Sequence, residues 1–437
     1  MRPLFFLLSV ALVLFLPLAS GAQSGGQPTA VALHLITADV SPGTMVEFKG
    51  MLFFSGYTAA HGAELWRSDG TAEGTVLVKD INPGPAHSNI NYLTVSQGQL
   101  FFSANNGQLG QELWKSDGTP EGTVLVKDLY PGPPRPGGYF EGIGGPEYLT
   151  DFGGALYFSA RHPDWGRELF KSDGTAEGTV LVKDINPGPG DNHPLYPYVR
   201  SSVPSHLTPL GDWLYFSAYD GMHGVELWRS DGTAEGTQLV LDLYPGRPER
   251  ATFGPGQYGA DPSAMIVYQG MLYFHAMDSL HEGGLWRSDG TAQGTELIKD
   301  LDPEGMSFIY SFAVVGPTLF FSANSEAHGY ELWKSDGSPE GTVLVKDINT
   351  LDSPEQHAKS SYPADLVAYA GELYFSAAEA LHGRELWRSS GTAEGTVLVN
   401  DLLPGPAGSE PVALTPLGNV LLLWCRCAGG WPGPLCL

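Results

Sequence analysis

The sequence predicts an all-β fold: a β-propeller of four-stranded blades, with seven complete repeats and a split eighth blade. Three observations carry that expectation. The string Glu64-Leu65-Trp66-Arg67-Ser68-Asp69-Gly70-Thr71 recurs at residues 112–119, 168–175, 226–233, 284–291, 331–338 and 385–392, with its aromatic residue at 66, 114, 170, 228, 286, 333 and 387. Each unit holds four short runs rich in aromatic and β-branched residues, set apart by Asp-Gly and Pro-Gly turn signals. Beyond the N-terminal apolar run, no segment carries helical periodicity. A small sheet apolar on both faces cannot bury them alone, so such units pack side by side. A β-solenoid is the competing architecture, but its repeats are shorter and less like hairpins.

The chain opens with Arg2 and an apolar run from Leu4 to Leu18, followed by Ala19-Ser20-Gly21-Ala22. A basic start, an apolar stretch too short to span a bilayer and a small-residue exit read as a secretory signal peptide over residues 1–22. The propeller is expected over residues 23–423, in a protein secreted or released to the periplasm. In the fourth unit, residues 205–210 read as the inner strand, 213–218 as the second, 226–230 as the third and 237–243 as the outer, with Asp231-Gly232 closing the last hairpin. At the ends, residues 36–43 align with the outer-strand segment 77–84, and residues 414–418 with the inner-strand segment 207–211. Together they predict an eighth blade shared by both ends of the sequence and lacking its third strand. Seven blades with loose ends is the alternative. Residues 424–437 form an irregular tail holding all three cysteines, Cys425, Cys427 and Cys436, and match nothing earlier, as a truncated or frame-altered end would.

Glycine (57) and proline (34) make up about a fifth of the 437 residues, and charged residues reach only 16%, against about 25% in ordinary soluble proteins. The net charge of −25 repels phosphate backbones and anionic headgroups, so neither nucleic acid nor membrane insertion is expected. With no cysteine before residue 425, no disulfide framework holds the blades.

On these motif copies the chain resembles the bacterial secreted proteins named for their ELWxxDGT repeat, over roughly residues 35 to 423. The resemblance implies an exported repeat protein of propeller-like build, and it supplies no catalytic residues. Within the motif this sequence departs at Phe170, Gly284, Ser338 and Ser390; downstream, Leu241 and Asn400 replace a repeated Lys.

His-Gly recurs at 61, 223, 328 and 382, with His281 in the same place. Equivalent atoms on neighbouring blades lie on the order of 10 Å apart, whereas zinc ligands sit near ~2.1 Å. These histidines are therefore read as ordering a loop, and no metal ligand is assigned. No Asp-x-Asp-x-Asp-Gly loop is present, so no cofactor is expected, with calcium at the Asp-Gly turns as the alternative. No nucleophile elbow, His-Glu-x-x-His or phosphate loop is present, and no catalytic residue is assigned. The leading reading is a monomeric, non-catalytic binding propeller whose ligand is a carbohydrate or a cell-surface protein. A secreted glycosidase or lyase on the same scaffold is the alternative. The long connections 133–146, 189–204 and 247–262 carry the candidate ligand residues Tyr139, Phe140, Tyr196, Tyr198, Arg200, Arg247, Arg250 and Tyr258, expected as one lip on one face.

Pairing is expected to set Ser55 against Glu64, Phe53 against Trp66, Tyr157 against Phe170 and Tyr215 against Trp228, with Glu64 ion-paired to Lys79 and likewise in units two, three and six. The same register sets His275 opposite Gly284, where six other units have Ser and Glu. His275 is accordingly both a candidate for volume compensation and a candidate ligand contact.

Overall fold

In a computed structural model of the chain, residues 11–15, 32–36, 45–71, 73–131, 145–188, 192–193, 196–197, 200–245, 259–350, 360–417 and 420–425 are described. The fold class is the one expected: an all-β propeller of four-stranded antiparallel blades, with no helix among the described residues. Blade 1 runs from Met45–Phe48 to Val76–Lys79, blade 2 from Asn91–Ser96 to Val124–Lys127, and blade 3 from Glu147–Phe152 to Val180–Lys183. Blade 4 runs from Ser205–Leu210 to Gln238–Leu241 and blade 5 from Ser263–Tyr268 to Glu296–Lys299. Blade 6 runs from Ile309–Val315 to Val343–Lys346 and blade 7 from Ala364–Tyr369 to Val397–Asn400. In each, the chain steps through neighbouring strands in order, from inner to outer.

An eighth sheet joins Val412–Leu417, Val420–Trp424, Ala11–Phe15 and Ala32–Ile36, in that spatial order. The split blade is present, but without the expected gap. Ala11–Phe15, from the segment read as a leader, takes the third position, pairing Leu12, Val13 and Leu14 with Leu423, Leu422 and Leu421. Those three leucines are buried, and without a neighbour their strand would present a row of unpaired backbone groups.

The chain divides into two compact units, Val78–Ile309 and Met1–Leu77 with Tyr310–Leu437. In the first, blades 2 to 5 pack face to face. Phe101, Leu113 and Val126 meet Leu156, Phe158 and Ala160; Tyr157, Leu169 and Val182 meet Leu214, Phe216 and Ala218; Tyr215, Leu227 and Leu243 meet Leu272, Phe274 and Ala276. Successive residues of a strand point to opposite faces, so the second strand of each blade feeds the cores on both its sides. In the other unit, Phe320, Leu332 and Val345 of blade 6 meet Leu373, Phe375 and Ala377 of blade 7. Tyr374 and Leu386 of blade 7 meet Leu421 and Leu423 of the split blade, whose Leu422 meets Leu52 and Phe54 of blade 1.

The repeated motif is a hairpin that also fastens blade to blade. In blade 3, Asp173 Oδ1 accepts hydrogen bonds from Thr175 N at 2.8 Å and Thr175 Oγ1 at 2.7 Å. Thr175 Oγ1 accepts from Gly178 N, and Ser172 Oγ accepts from Gly174 N and contacts Thr179 Oγ1. These bonds hold the Asp173 carboxyl below its ordinary range. Blade 2 grips this hairpin through two lysines: Lys115 Nζ donates to Gly174 O and Lys127 Nζ to Thr179 O. The same pair of bonds recurs from Lys171 and Lys183 to Gly232 and Thr237, and from Lys334 and Lys346 to Gly391 and Thr396.

The expected Glu–Lys ion pair is therefore not formed. Lys79 Nζ donates to Thr123 O and Pro120 O, and across the ladder the outer-strand lysines Lys127, Lys183 and Lys346 oppose Leu113, Leu169 and Leu332. The motif glutamates instead tie strand three to the chain leaving the outer strand. Glu112 accepts from Leu129 N, Glu226 from Leu243 N and Ala260 N, and Glu168 from Ile185 N and from Ser202 N and Oγ.

Pairing between strands two and three also differs from the expectation, by one residue. Phe54 opposes Trp66 and Gly56 opposes Glu64; Phe158 opposes Phe170, and Phe216 opposes Trp228. The cause is the hairpin: three residues separate the closing pair Thr58–Gly62, and Gly62 (φ 67°) takes the left-handed conformation that such loops require. A slip of one exchanges the faces of every side chain. In blade 5, Gly284 accordingly opposes Ala276, and His275 opposes Leu285.

Both readings of His275 required it to face Gly284, so neither holds; its ring reaches instead to the connection into blade 6. Its Nε2 lies 2.8 Å from Ser307 O. The counterpart serines of blades 3, 6 and 7 (Ser202, Ser361 and Ser409) donate their hydroxyls to the motif Glu, and Ser307 Oγ has no acceptor. Restoring a side chain at 284 is blocked, because its Cβ would stand 2.7 Å from both Leu297 Cδ1 and Lys299 O.

Candidate functional site

Inner strands carry the feature that sets blades apart. In blades 2, 3, 4, 5, 7 and the split blade, the second residue of the inner strand has a left-handed backbone: Tyr92 (φ 56°), Tyr148 (55°), His206 (56°), Ala264 (49°), Asp365 (53°) and Ala413 (55°). The ladder to strand two shifts register at the same place, as at Glu147/Thr150. This is a β-bulge, which re-aims one side chain per strand. Holding a non-glycine residue there costs on the order of 1–2 kcal/mol. Small residues occupy the position in blade 5 and in the split blade, so the fold does not require a ring there.

In the unit Val78–Ile309, three consecutive bulges nevertheless present rings that touch. Tyr92 and Tyr148 lie 5.7 Å apart between centroids, and Tyr148 and His206 lie 5.4 Å apart, tilted at 43° and 50°. All three are half-buried. Beside them Arg167 Nη2 is 3.3 Å from Glu147 Oε1, while Arg167 Nη1 donates to Gly145 O. Arg167 is buried, and that burial lowers its guanidinium from the ordinary value against the pull of Glu147. Burial, with Glu147 adding to it, pushes the Tyr92 phenol up to about 12, and burial alone holds His206 below the usual imidazole value. At neutral pH the ladder is thus a run of neutral rings flanked by one carboxylate and one guanidinium. Sequence reasoning missed it, although Tyr92, Tyr148 and His206 stand at one repeat position in three successive units.

The long connections of this unit leave from the same end of the blades. Ser202 N and Val203 N donate to Arg167 O, Tyr219 N donates to Ser202 O, and Asp261 N donates to Val225 O. The ends of the connections 189–204 and 247–262 are thereby clamped to the hairpins between strands two and three. Tyr139, Phe140, Tyr198, Arg247, Arg250 and Tyr258 lie outside the described residues, as do Cys427 and Cys436. Tyr196–Pro197 pairs with Asn192–His193 in a short ribbon. Arg200 is exposed, with its backbone N donating to Gly188 O. His275 is 3% exposed, so it faces the blade interior and not a surface. The His-Gly histidines order their loops as expected: Nδ1 of His223 is 2.6 Å from Asp220, that of His281 is 2.9 Å from Asp278, and that of His382 contacts Glu379. His328 Nδ1 lies 3.0 Å from Asp347.

The other unit, Met1–Leu77 with Tyr310–Leu437, has its own aromatic group. Tyr310, in the inner strand of blade 6, lies 5.3 Å from Tyr330 between centroids, with hydroxyls 3.2 Å apart. Tyr330 stacks on Tyr362 at 5.0 Å and 23°. Among the described residues, no group of three or more His, Cys, Asp or Glu side chains is placed to hold a metal ion.

No protein-family model matches the chain, and no curated protein matches it. Among solved structures it is similar to a prolyl endopeptidase, with TM-score 0.49 and 12% identity over 82% of this chain and 49% of that one. It is also similar to puromycin hydrolase (TM-score 0.48, 15% identity, 85% and 54%) and to prolyl oligopeptidase B from Galerina marginata (0.46, 10%, 83% and 50%). The chain spans about half the length of these structures.

Proposed function

We propose that this chain is an exported, non-catalytic propeller of the ELWxxDGT-repeat kind that binds glycans on the Tyr92–Tyr148–His206 ladder. One observation carries the reading. Three strained backbone positions in a row present touching rings where the same fold accepts alanine. The left-handed bulge recurs in six blades and so belongs to the framework, but the rings placed on it do not, and that points to use rather than to folding. Pyranose rings offer an apolar C–H face that packs on aromatic rings, and hydroxyls that Glu147 and Arg167 can receive at the edge. The long connections clamped at that end would frame the ladder. Neutral rings favour an uncharged ligand over a polyanion, in keeping with a chain of net charge −25.

The test is titration of the purified protein against a panel of neutral polysaccharides, following heat of binding and release of reducing ends in parallel. The expected result is binding without product release, weakened about tenfold or more by Tyr148→Ala at an unchanged melting temperature. Sustained release of reducing ends, or full-strength binding by Tyr148→Ala, overturns the proposal.

A further inference from the structure

We infer that the tyrosine stack of the unit Met1–Leu77 with Tyr310–Leu437 is a second, separate pyranose-binding site, making one chain bivalent for glycan. The inference rests on the glycan reading proposed for the ladder, but on different residues. Tyr310, Tyr330 and Tyr362 come from three distant places: an inner strand, the start of a third strand, and the end of the connection into blade 7. None is demanded by the repeat. At the Tyr310 position blade 5 has Ser263; at the Tyr330 position blades 1, 4 and 5 have Ala63, Val225 and Gly283. Three independent departures from the repeat nevertheless converge on one continuous stack.

Geometry then says what the stack offers. Tyr310 is 63% exposed, large for a ring that packs on a neighbour, so part of its surface is open to solvent. The stack beneath it is held firmly. Tyr330 N donates to Ser360 Oγ, and Tyr330 O accepts from Ser361 N and Tyr362 N. Tyr362 keeps a left-handed backbone (φ 47°), and its carbonyl accepts from Arg384 Nη1 at 2.8 Å. Arg384 Nε is in turn 3.8 Å from Glu410 Oε2. A rigid platform with an exposed outer ring, a phenol pair at its rim and charged groups bound behind it matches one face of a pyranose plus its hydroxyls. The patch is a few rings wide, small beside the roughly 800 Å² per partner of a stable protein interface, so a short sugar segment is the fitting ligand.

The experiment is calorimetric titration of the full chain with cello-, xylo- and mannohexaose, reading stoichiometry. Wild type should bind two equivalents of at least one hexaose. Tyr310→Ala and Tyr148→Ala should each reduce this to one, and the double variant should bind none. Tyr310→Phe, which keeps the ring and loses the hydroxyl pair, should retain two equivalents, with the Tyr310 site reduced in affinity. A stoichiometry of one that Tyr148→Ala abolishes and Tyr310→Ala leaves intact overturns the second site and spares the ladder. Loss with Tyr310→Ala alone overturns the ladder and spares this site. Failure of all three sugars to bind, with capture of a protein partner instead, overturns both.

Discussion

Gly284 and His275 show how far a single position can be understood from its surroundings. A Glu at 284 would meet a backbone oxygen and Leu297, and the larger His275 stands beside the serine such a Glu would bond, where six other blades keep Ser. Gly284→Glu should therefore destabilise the fold by about 1–3 kcal/mol, the ordinary cost of overpacking. Adding His275→Ser should recover part of that loss, a coupling that a double-mutant cycle in chemical denaturation would measure. Additive losses would show that the two positions are independent. The sequence exposed both departures, because each breaks a sevenfold pattern. It could not expose their geometry, since one residue more in the hairpin moves His275 from beside Gly284 to a diagonal place. Tyr92, Tyr148 and His206 break no such pattern, because their position varies from unit to unit, and a left-handed inner-strand bulge leaves no signature in residue type.

Individual blades are stabilised by chemistry that is partly local and partly borrowed. The Ser-Asp-Gly-Thr hairpin was legible because all its hydrogen bonds lie within eight residues. The lysines were not, because their acceptors lie on the next blade, 50 or more residues away in Lys127, Lys183 and Lys346. The motif glutamates sit between these cases, buried among backbone donors. Burial pushes Glu112, Glu168 and Glu226 up to about 8, opposed by their hydrogen bonds and, at Glu112, reinforced by Asp128. A carboxyl whose folded value lies above its unfolded value of ~4.5 binds more protons when folded, so its contribution is present at mildly acidic pH and falls as pH rises towards 8. Unfolding free energy should accordingly decline between about pH 5 and pH 8, and Glu168→Gln should flatten the slope. A stability that rises through this window would show that these carboxyls are ionised throughout. Blade 5 is the natural comparison: it has no motif Glu, and there Asp302 N donates to Asp300 Oδ1.

At the scale of the whole molecule, the propeller class, the seven repeats and the sharing of one blade by distant segments were legible. Repetition multiplies a weak strand signal into a strong one. What repetition hides is asymmetry, and function resides in the asymmetry. The net charge of −25 supplies a check that needs no mutation. Binding of an uncharged glycan by neutral rings should change by less than about twofold between low and high salt, since little charge is transferred on binding. A steep loss with salt would point to a charged ligand instead. The most direct measurement is a crystal structure of the full chain soaked with a hexaose that it binds. Sugar rings seated over Tyr148 and His206, within hydrogen-bonding reach of Glu147 and with their linkages intact, are the expected result. A sugar bound elsewhere with the Tyr92–Tyr148–His206 ladder bare, or one cleaved in place, would contradict it.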